Sequence, residues 1–396
     1  MDLAMKLHYI RTVYYFPSQA FEGLTVINIK ETMFYWLNLA YIPCGRFRKS
    51  DSGRPHVKCN DCGVRLIEAR CNMSLDEWLE SEDDAKHKLV VPNQVLGPDL
   101  FYSPPVLMQL TKFKCGGTAI GVSWAHVLGD AFTAAAFMNM WGQSTSKQSP
   151  IKPLLMAHSK TQAQNPKSPI KDPLVVKRVD PVGDHWVTLS DTKMEMFSIH
   201  VSWDELASVQ SKICGDKDNH QLPPFESICT AVWQCVAKVK HGLHANVVTI
   251  CKKDESNTFE GVITNKGQRV KVVKTDVSVE ELSPMELGLL VMNQAVDETD
   301  IVEEAVDFDD GLRDFLVYGA NLTFVDLLDA PVYDLNIRGY KPVYVNCGID
   351  NVGDEGLVLV FRSRKDDKDG VKVSITFAEK HMLDLKLMLK KEWGLF

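Results

Sequence analysis

Nowhere in the 396 residues does an apolar run approach the ~20 residues that a bilayer-spanning helix requires. The opening Met1-Asp2-Leu3-Ala4-Met5-Lys6-Leu7-His8 has no apolar core followed by a cleavage site, so no secretory leader is visible. An excess of positive charge is missing too. A net charge of -8 argues against nucleic acid as the main partner, because phosphate contacts need a basic face. Paired cysteine spacing is scarce: the ten cysteines are scattered, which in a long chain reads as reduced thiols rather than a disulfide frame. His56, Cys59, Cys62 and Cys71 offer ligand types that zinc favours, but the second spacing of a finger is lacking, and Val64–Ala69 continues as an alternating strand. Core and turn cysteines are expected there, with no metal. These absences leave a soluble, intracellular chain that reaches a membrane only through a partner.

What is present is ordinary globular composition, 45% hydrophobic and 24% charged, in a chain too long for one core. Two mixed α/β domains are expected, over residues 1–145 and 190–396. Between them, 146–189 is rich in Ser, Pro, Gln and Lys, without periodicity, and reads as a crossover linker. In the first half, 25–39 has helical apolar spacing, 54–70 reads as strands around a turn at Asn60–Gly63, and Ser74 caps a short helix over Leu75–Glu80. In the second half, Met196–Val201 is a strand, Ser202 caps a helix from Trp203, and a helix runs through Leu222–Lys238. His200, His241 and His244 stand near these elements without partners at metal spacing, so surface or packing roles are expected. Glu280–Asp310 is helical in pattern and acidic, as a solvated face is. Segments 356–361 and 371–377 read as a hairpin, closed by a helix over Glu379–Leu389.

The most informative stretch begins at Lys114-Cys115-Gly116-Gly117. A Gly-Gly turn leads into Thr118-Ala119-Ile120-Gly121-Val122-Ser123-Trp124-Ala125, a buried strand, and the strand ends at His126. Asp130 then precedes an Ala-rich apolar stretch, where its carboxylate suits a helix N-cap. A histidine at the C-terminal end of a strand faces the crevice in which ligands of α/β sheets tend to sit.

His126-x-x-x-Asp130, with Gln109–Gly117 before it and the Asp130-led helix after it, resembles the HxxxD block of the plant BAHD acyltransferases. Ala131 departs from the glycine usual after that Asp. Tyr41-Ile42-Pro43-Cys44-Gly45-Arg46 and the Phe225–Trp233 segment resemble further family elements. The resemblance implies two domains of the CoA-dependent acyltransferase (chloramphenicol-acetyltransferase-like) type with an interface channel. His126 is expected to line that channel, open to solvent. The implied site residues are His126 as general base and Asp130, which in the family points away from the reaction and pairs with an arginine. Here Thr249-Ile250-Cys251-Lys252-Lys253-Asp254 offers only lysine, which lacks the bidentate fork. The family's Asp-Phe-Gly-Trp-Gly is replaced at every place by Asn336, Ile337, Arg338, Gly339 and Tyr340. The chain also opens at Met1-Asp2-Leu3, where the family usually carries one more strand. Either the sequence is short at that end or the first sheet lacks an edge.

Cys59-Asn60-Asp61-x-Gly63, Val95–Leu100, Tyr318-Gly319-Ala320-Asn321-Leu322-Thr323-Phe324 and Gly353-Asp354-x-Gly356 carry the likeness to the eceriferum/glossy branch of this family. That branch acts in cuticular wax formation, as accessory factors of the fatty acid elongase. The implied function is promotion of very-long-chain fatty acid elongation as a partner of the ketoacyl-CoA synthase, at the cytosolic face of the endoplasmic reticulum. The chain is otherwise expected to be monomeric. The alternative is an active enzyme. In it, His126 Nε2 takes a proton from an alcohol or amine that attacks an acyl-CoA carbonyl, then returns it to the leaving thiolate. Acyl-CoA is then a substrate, and no cofactor is bound permanently.

Overall fold

The structure, a computed structural model, describes residues 1–51, 53–81, 84–146, 154–156, 172–188, 192–215, 222–240, 246–256, 261–309, 312–365 and 368–395. His241, His244 and much of the 146–189 crossover lie outside them. A five-stranded sheet organises the first half, in the order Tyr344–Asp350, Tyr9–Phe16, Thr118–Ala125, Val106–Phe113, Arg65–Cys71. Val106–Phe113 and Thr118–Ala125 form an antiparallel pair joined by the turn at Lys114–Gly117. Thr118–Ala125 is buried at every position, which is why it reads as a continuous apolar run rather than an alternating one. Helices Val26–Leu39 and Ala131–Thr145 cover one face with Trp36, Phe137 and Trp141. The segment around Val90–Val91 covers the other, so close to Gly121 that a Cβ there would meet Val90 O at 2.0 Å.

Two pairings differ from simple sequence order. Pro55–Lys58 pairs with Arg46–Lys49, whereas Arg65–Cys71 joins the main sheet in parallel beside Val106–Phe113. The two strands flanking the Asn60–Gly63 turn therefore belong to different sheets. The first sheet also takes an edge from far down the chain, since Tyr344–Asp350 lies antiparallel to Tyr9–Phe16. The sequence boundaries assign that strand to the second half. What carries it across is the preceding turn, which packs on helix Ala131–Thr145. There the Thr145 hydroxyl lies 3.5 Å from Asn336 O, and a Cβ on Gly142 would meet Asn336 O at 2.7 Å.

The second sheet has seven strands, in the order Val296–Asp297, Gln268–Lys274, Val247–Lys253, Leu322–Leu327, Leu357–Lys365, Lys368–Ala378, Met194–Ser202. Helices Trp203–Cys214, Pro224–Val239, Pro284–Asn293 and Glu379–Trp393 pack on one face, against Val358, Val360, Val371 and Val373. The opposite residues Leu357, Leu359 and Phe361 join one core with the first sheet. Among the described residues four helices carry a reciprocal Ser or Thr cap, at Thr25, Ser74, Ser202 and Ser283, each satisfying an orphan N–H of the first turn. Among the described residues no helix is long and apolar enough to cross a membrane.

Candidate functional site

Strand Thr118–Ala125 delivers His126 to the seam between the two sheets, and a single tight turn, His126–Leu128, separates it from Asp130. His126 N–H donates to His8 O at 3.0 Å, and Trp124 Nε1 donates to Gly129 O at 2.9 Å. The loop is held on both sides.

The side chain is then taken by the second half. Nδ1 lies 2.8 Å from Asn265 Oδ1, and Nε2 lies 2.9 Å from the Tyr318 hydroxyl. The orientation of Asn265 is fixed by its other partners. Its Nδ2 donates to Asp2 Oδ1 at 3.0 Å and to His126 O at 2.9 Å, both of which only accept. Asn265 Oδ1 must therefore receive the Nδ1 proton. His126 is the Nδ1–H tautomer, and its Nε2 lone pair accepts from Tyr318 O–H.

Tyr318 has one proton and two claimants for it. Its oxygen is also 3.1 Å from Gln268 Oε1, while Gln268 Nε2 is buried without a partner. With the Gln268 carboxamide turned over, Nε2 donates to Tyr318 and Tyr318 donates to His126, which gives the one hydroxyl proton a single acceptor and leaves Gln268 Oε1 as the buried amide atom without a partner. One directed chain results, running Gln268, Tyr318, His126, Asn265, Asp2. Below it His8 Nε2 accepts from the Val317 and Tyr318 amides at 3.2 Å each, and the Tyr318 ring contacts both imidazoles, whose centroids are 6.5 Å apart.

Burial sets the electrostatics. His126 is 1% exposed, and desolvation lowers its pKa to about 4 against a hydrogen bond to Asn265 that raises it. Desolvation, with nearby His126 second, takes His8 to about 3. Both imidazoles are neutral near pH 7. Burial likewise pushes the Tyr318 phenol well above its ordinary value. His126 thus has the tautomer a general base needs, but its basic nitrogen is occupied and shut away. It lies between the halves, yet it does not line a channel open to solvent, contrary to the expectation.

Asp130 is where the cap was expected. Its Oδ1 accepts from Thr133 N at 2.9 Å. Among the described residues no arginine or lysine completes it, and Oδ2 is buried without a partner. The lysines of the expected segment are engaged elsewhere, Lys252 with Glu226 and Lys253 over the Phe132 ring at 5.7 Å. What approaches Oδ2 is backbone, because a Cβ on Gly267 would stand 2.8 Å away. Burial, opposed by the Thr133 hydrogen bonds, raises the Asp130 carboxyl to about 6. The 264–267 loop thus serves both motif residues, Asn265 on His126 and Gly267 against Asp130.

Sequence reading missed Asn265, Gln268, His8 and Asp2 as neighbours of His126. Tyr318 stood out only as part of a branch-specific run. No local signal ties these positions to a histidine more than a hundred residues away; only the strand order does. A crevice of about 450 Å³ does open between the sheets, lined by Arg11, Val13, Met194, Met196 and Asn346 among others. His126 is not in its wall. Of its lining residues Asn351 and Val352 adjoin Gly353, whose N–H donates to Tyr318 O at 3.0 Å. Among the described residues no group of three His, Cys, Asp or Glu could hold a metal, and Cys59 and Cys62 are exposed free thiols.

Comparison with known proteins places this arrangement. A family model described as "Transferase family" matches residues 1–389. Protein ECERIFERUM 26 of Arabidopsis thaliana is 37% identical over 391 residues, covering 99% of this chain and 90% of the relative. Protein ECERIFERUM 2 of the same plant is 34% identical, covering 98% and 91%. Among solved structures, TRI101 of F. graminearum, complexed with coenzyme A and deoxynivalenol, superposes with a TM-score of 0.73 at 13% identity, covering 99% of this chain and 96% of that one. The chain belongs to the Transferase family, that of the BAHD acyltransferases, with ECERIFERUM proteins among its near relatives.

Proposed function

We propose that the protein promotes very-long-chain fatty acid elongation for cuticular wax as an accessory partner of the elongase ketoacyl-CoA synthase, without acyl transfer of its own. The observation that carries this reading is the bond between His126 Nε2 and the Tyr318 hydroxyl in a site closed to water. A general base must reach the proton it takes, and this nitrogen is already spent on a neighbour. The unpaired Asp130 and the replaced Asn336–Tyr340 segment point the same way. The eceriferum names of the relatives support the wax context, and the coenzyme A held by TRI101 supports acyl-CoA as a ligand of the interface crevice. Attachment to the endoplasmic reticulum then runs through the synthase.

Transfer to an alcohol or amine with His126 as base would require Tyr318 to leave Nε2 and both reactants to reach a buried atom. The test pairs two measurements on the purified protein. Long-chain acyl-CoA offered with alcohols and amines is followed by mass spectrometry, beside a pull-down with the synthase. Capture of the synthase with no acyl product is expected. Turnover that disappears in His126→Ala would replace this reading with the enzymatic one.

A further inference from the structure

The outer face of helix Glu379–Trp393 is not the polar stripe that a helix on a protein surface ordinarily presents. Met382, Leu385, Leu389 and Trp393 turn inward to the second-half core. On the outer side Leu383 and Leu387, one turn apart, are 68% and 57% exposed. Lys380 precedes them in the same stripe, and Lys390 and Lys391 follow, all exposed; the acidic members are Asp384 and Glu379, the latter paired with Lys193.

The C-terminal end of the helix collects further cations from its neighbours. Lys212 donates to Glu392 O and lies over the Trp393 ring at 5.4 Å, and Lys238 pairs with Glu392 at 2.5 Å. Lys212 and Lys238 thus gather at Glu392 on the flank of the helix turned away from Leu383 and Leu387, and of these lysines Lys380, Lys390 and Lys391 rim the two leucines. Two bare leucines rimmed by ammonium groups match a surface that is apolar beneath and anionic on top. Leucine side chains enter the acyl boundary, while lysine stems lie along it and hold their charges at the headgroups.

We propose that this helix rests the protein side-on against an anionic lipid bilayer, with Leu383 and Leu387 inserted and Lys380, Lys390 and Lys391 on the headgroups. The contact is peripheral and weakens with salt, because its electrostatic part acts within a Debye length of the membrane. It acts in addition to the proposed attachment through the synthase, and neither His126 nor the crevice takes part in it.

The test is flotation of the full purified chain with vesicles of phosphatidylcholine alone or of phosphatidylcholine with phosphatidylserine. Binding to the anionic vesicles is expected, with loss at high salt and little binding to the neutral ones. Lys390→Glu with Lys391→Glu, and separately Leu383→Asp with Leu387→Asp, are expected to weaken binding by about tenfold or more at an unchanged melting temperature. Equal flotation with both vesicles, none with either, or binding that both double variants retain would overturn the proposal.

Discussion

The hydroxyl of Tyr318 stands 2.9 Å from His126 Nε2 and occupies the nitrogen on which acyl-transfer chemistry in this family would turn. Strand Thr118–Ala125 brings the histidine, and the Val317–Asn321 turn before strand Leu322–Leu327 brings the tyrosine. The contact is therefore a bond between the two halves as well as a cap on a base.

Removing that hydroxyl has a defined cost. Tyr318→Phe leaves His126 Nε2 and the Gln268 carboxamide buried without partners, each worth ~1–3 kcal/mol. The denaturation midpoint is expected to fall by an amount corresponding to about 2–4 kcal/mol. A loss below about 0.5 kcal/mol would mean that the directed chain through Tyr318 does not hold the interface.

Asn265 is the other clamp. In Asn265→Leu the His126 Nδ1 proton, the His126 carbonyl and the Asp2 carboxylate all lose a partner. A destabilisation of about 2–4 kcal/mol is expected. In a double-mutant cycle with Tyr318→Phe the losses are expected to be non-additive, because one imidazole links them. Strict additivity would show that the two bonds act independently.

Asp130 gives a pH signature of known sign. Its carboxyl titrates near 3.8 when unfolded and at about 6 when folded, so between those values the folded state holds the extra proton. Its contribution therefore favours folding at low pH and is lost as pH rises toward 6, by about 3 kcal/mol in total. His126 runs oppositely. Neutral when folded and titrating at about 4, it favours folding increasingly as pH rises from 4 to 6.5. Asp130→Asn, which keeps the cap oxygen but not the charge, isolates the first effect. The variant is expected to gain stability relative to the parent as pH climbs from 4 to 7. Asp130→Ala also loses the cap, at a cost of about 1–2 kcal/mol. A pH-independent difference between the Asp130→Asn variant and the parent would remove the buried, unpaired carboxylate from the account.

Much of the fold was legible because its signals are local. The Gly-Gly turn, the all-apolar strand, the Asp130 cap and the Ser202 cap each depend on a few neighbouring residues, and each stands where the pattern put it. The seam between the halves was not legible. Tyr344–Asp350 is a short strand buried at its five central positions, and nothing in it names Tyr9–Phe16 as its partner. The site failed for the same reason. His126 and Asp130 announce themselves by spacing, whereas Asn265 and Tyr318 reach them through sheet order alone. Burial, which decides whether the histidine is usable, is a property of the assembled seam.

The replaced turn makes a local claim. Arg338 and Gly339 have φ of +56° and +95°, a conformation that suits glycine and costs arginine about 1 kcal/mol or more. In partial return, Arg338 Nη1 donates to Glu22 O at 2.8 Å across an exposed surface. Arg338→Gly is expected to raise stability by about 0.5–1 kcal/mol in a thermal melt. A lower melting temperature would show that the contact to Glu22 outweighs the backbone cost.

The central claim is that the protein works without His126 chemistry, and the fatty acid profile of cells tests it most directly. Cells expressing the ketoacyl-CoA synthase receive the parent protein or His126→Ala, with folding checked by melting and synthase binding by pull-down. A general base contributes ~10²–10⁴-fold to a rate, so an enzyme would fall nearly silent without it. The expected result is that His126→Ala extends chain length as the parent does. A folded, synthase-binding His126→Ala protein whose cells show only the chain lengths of the synthase alone would contradict the account.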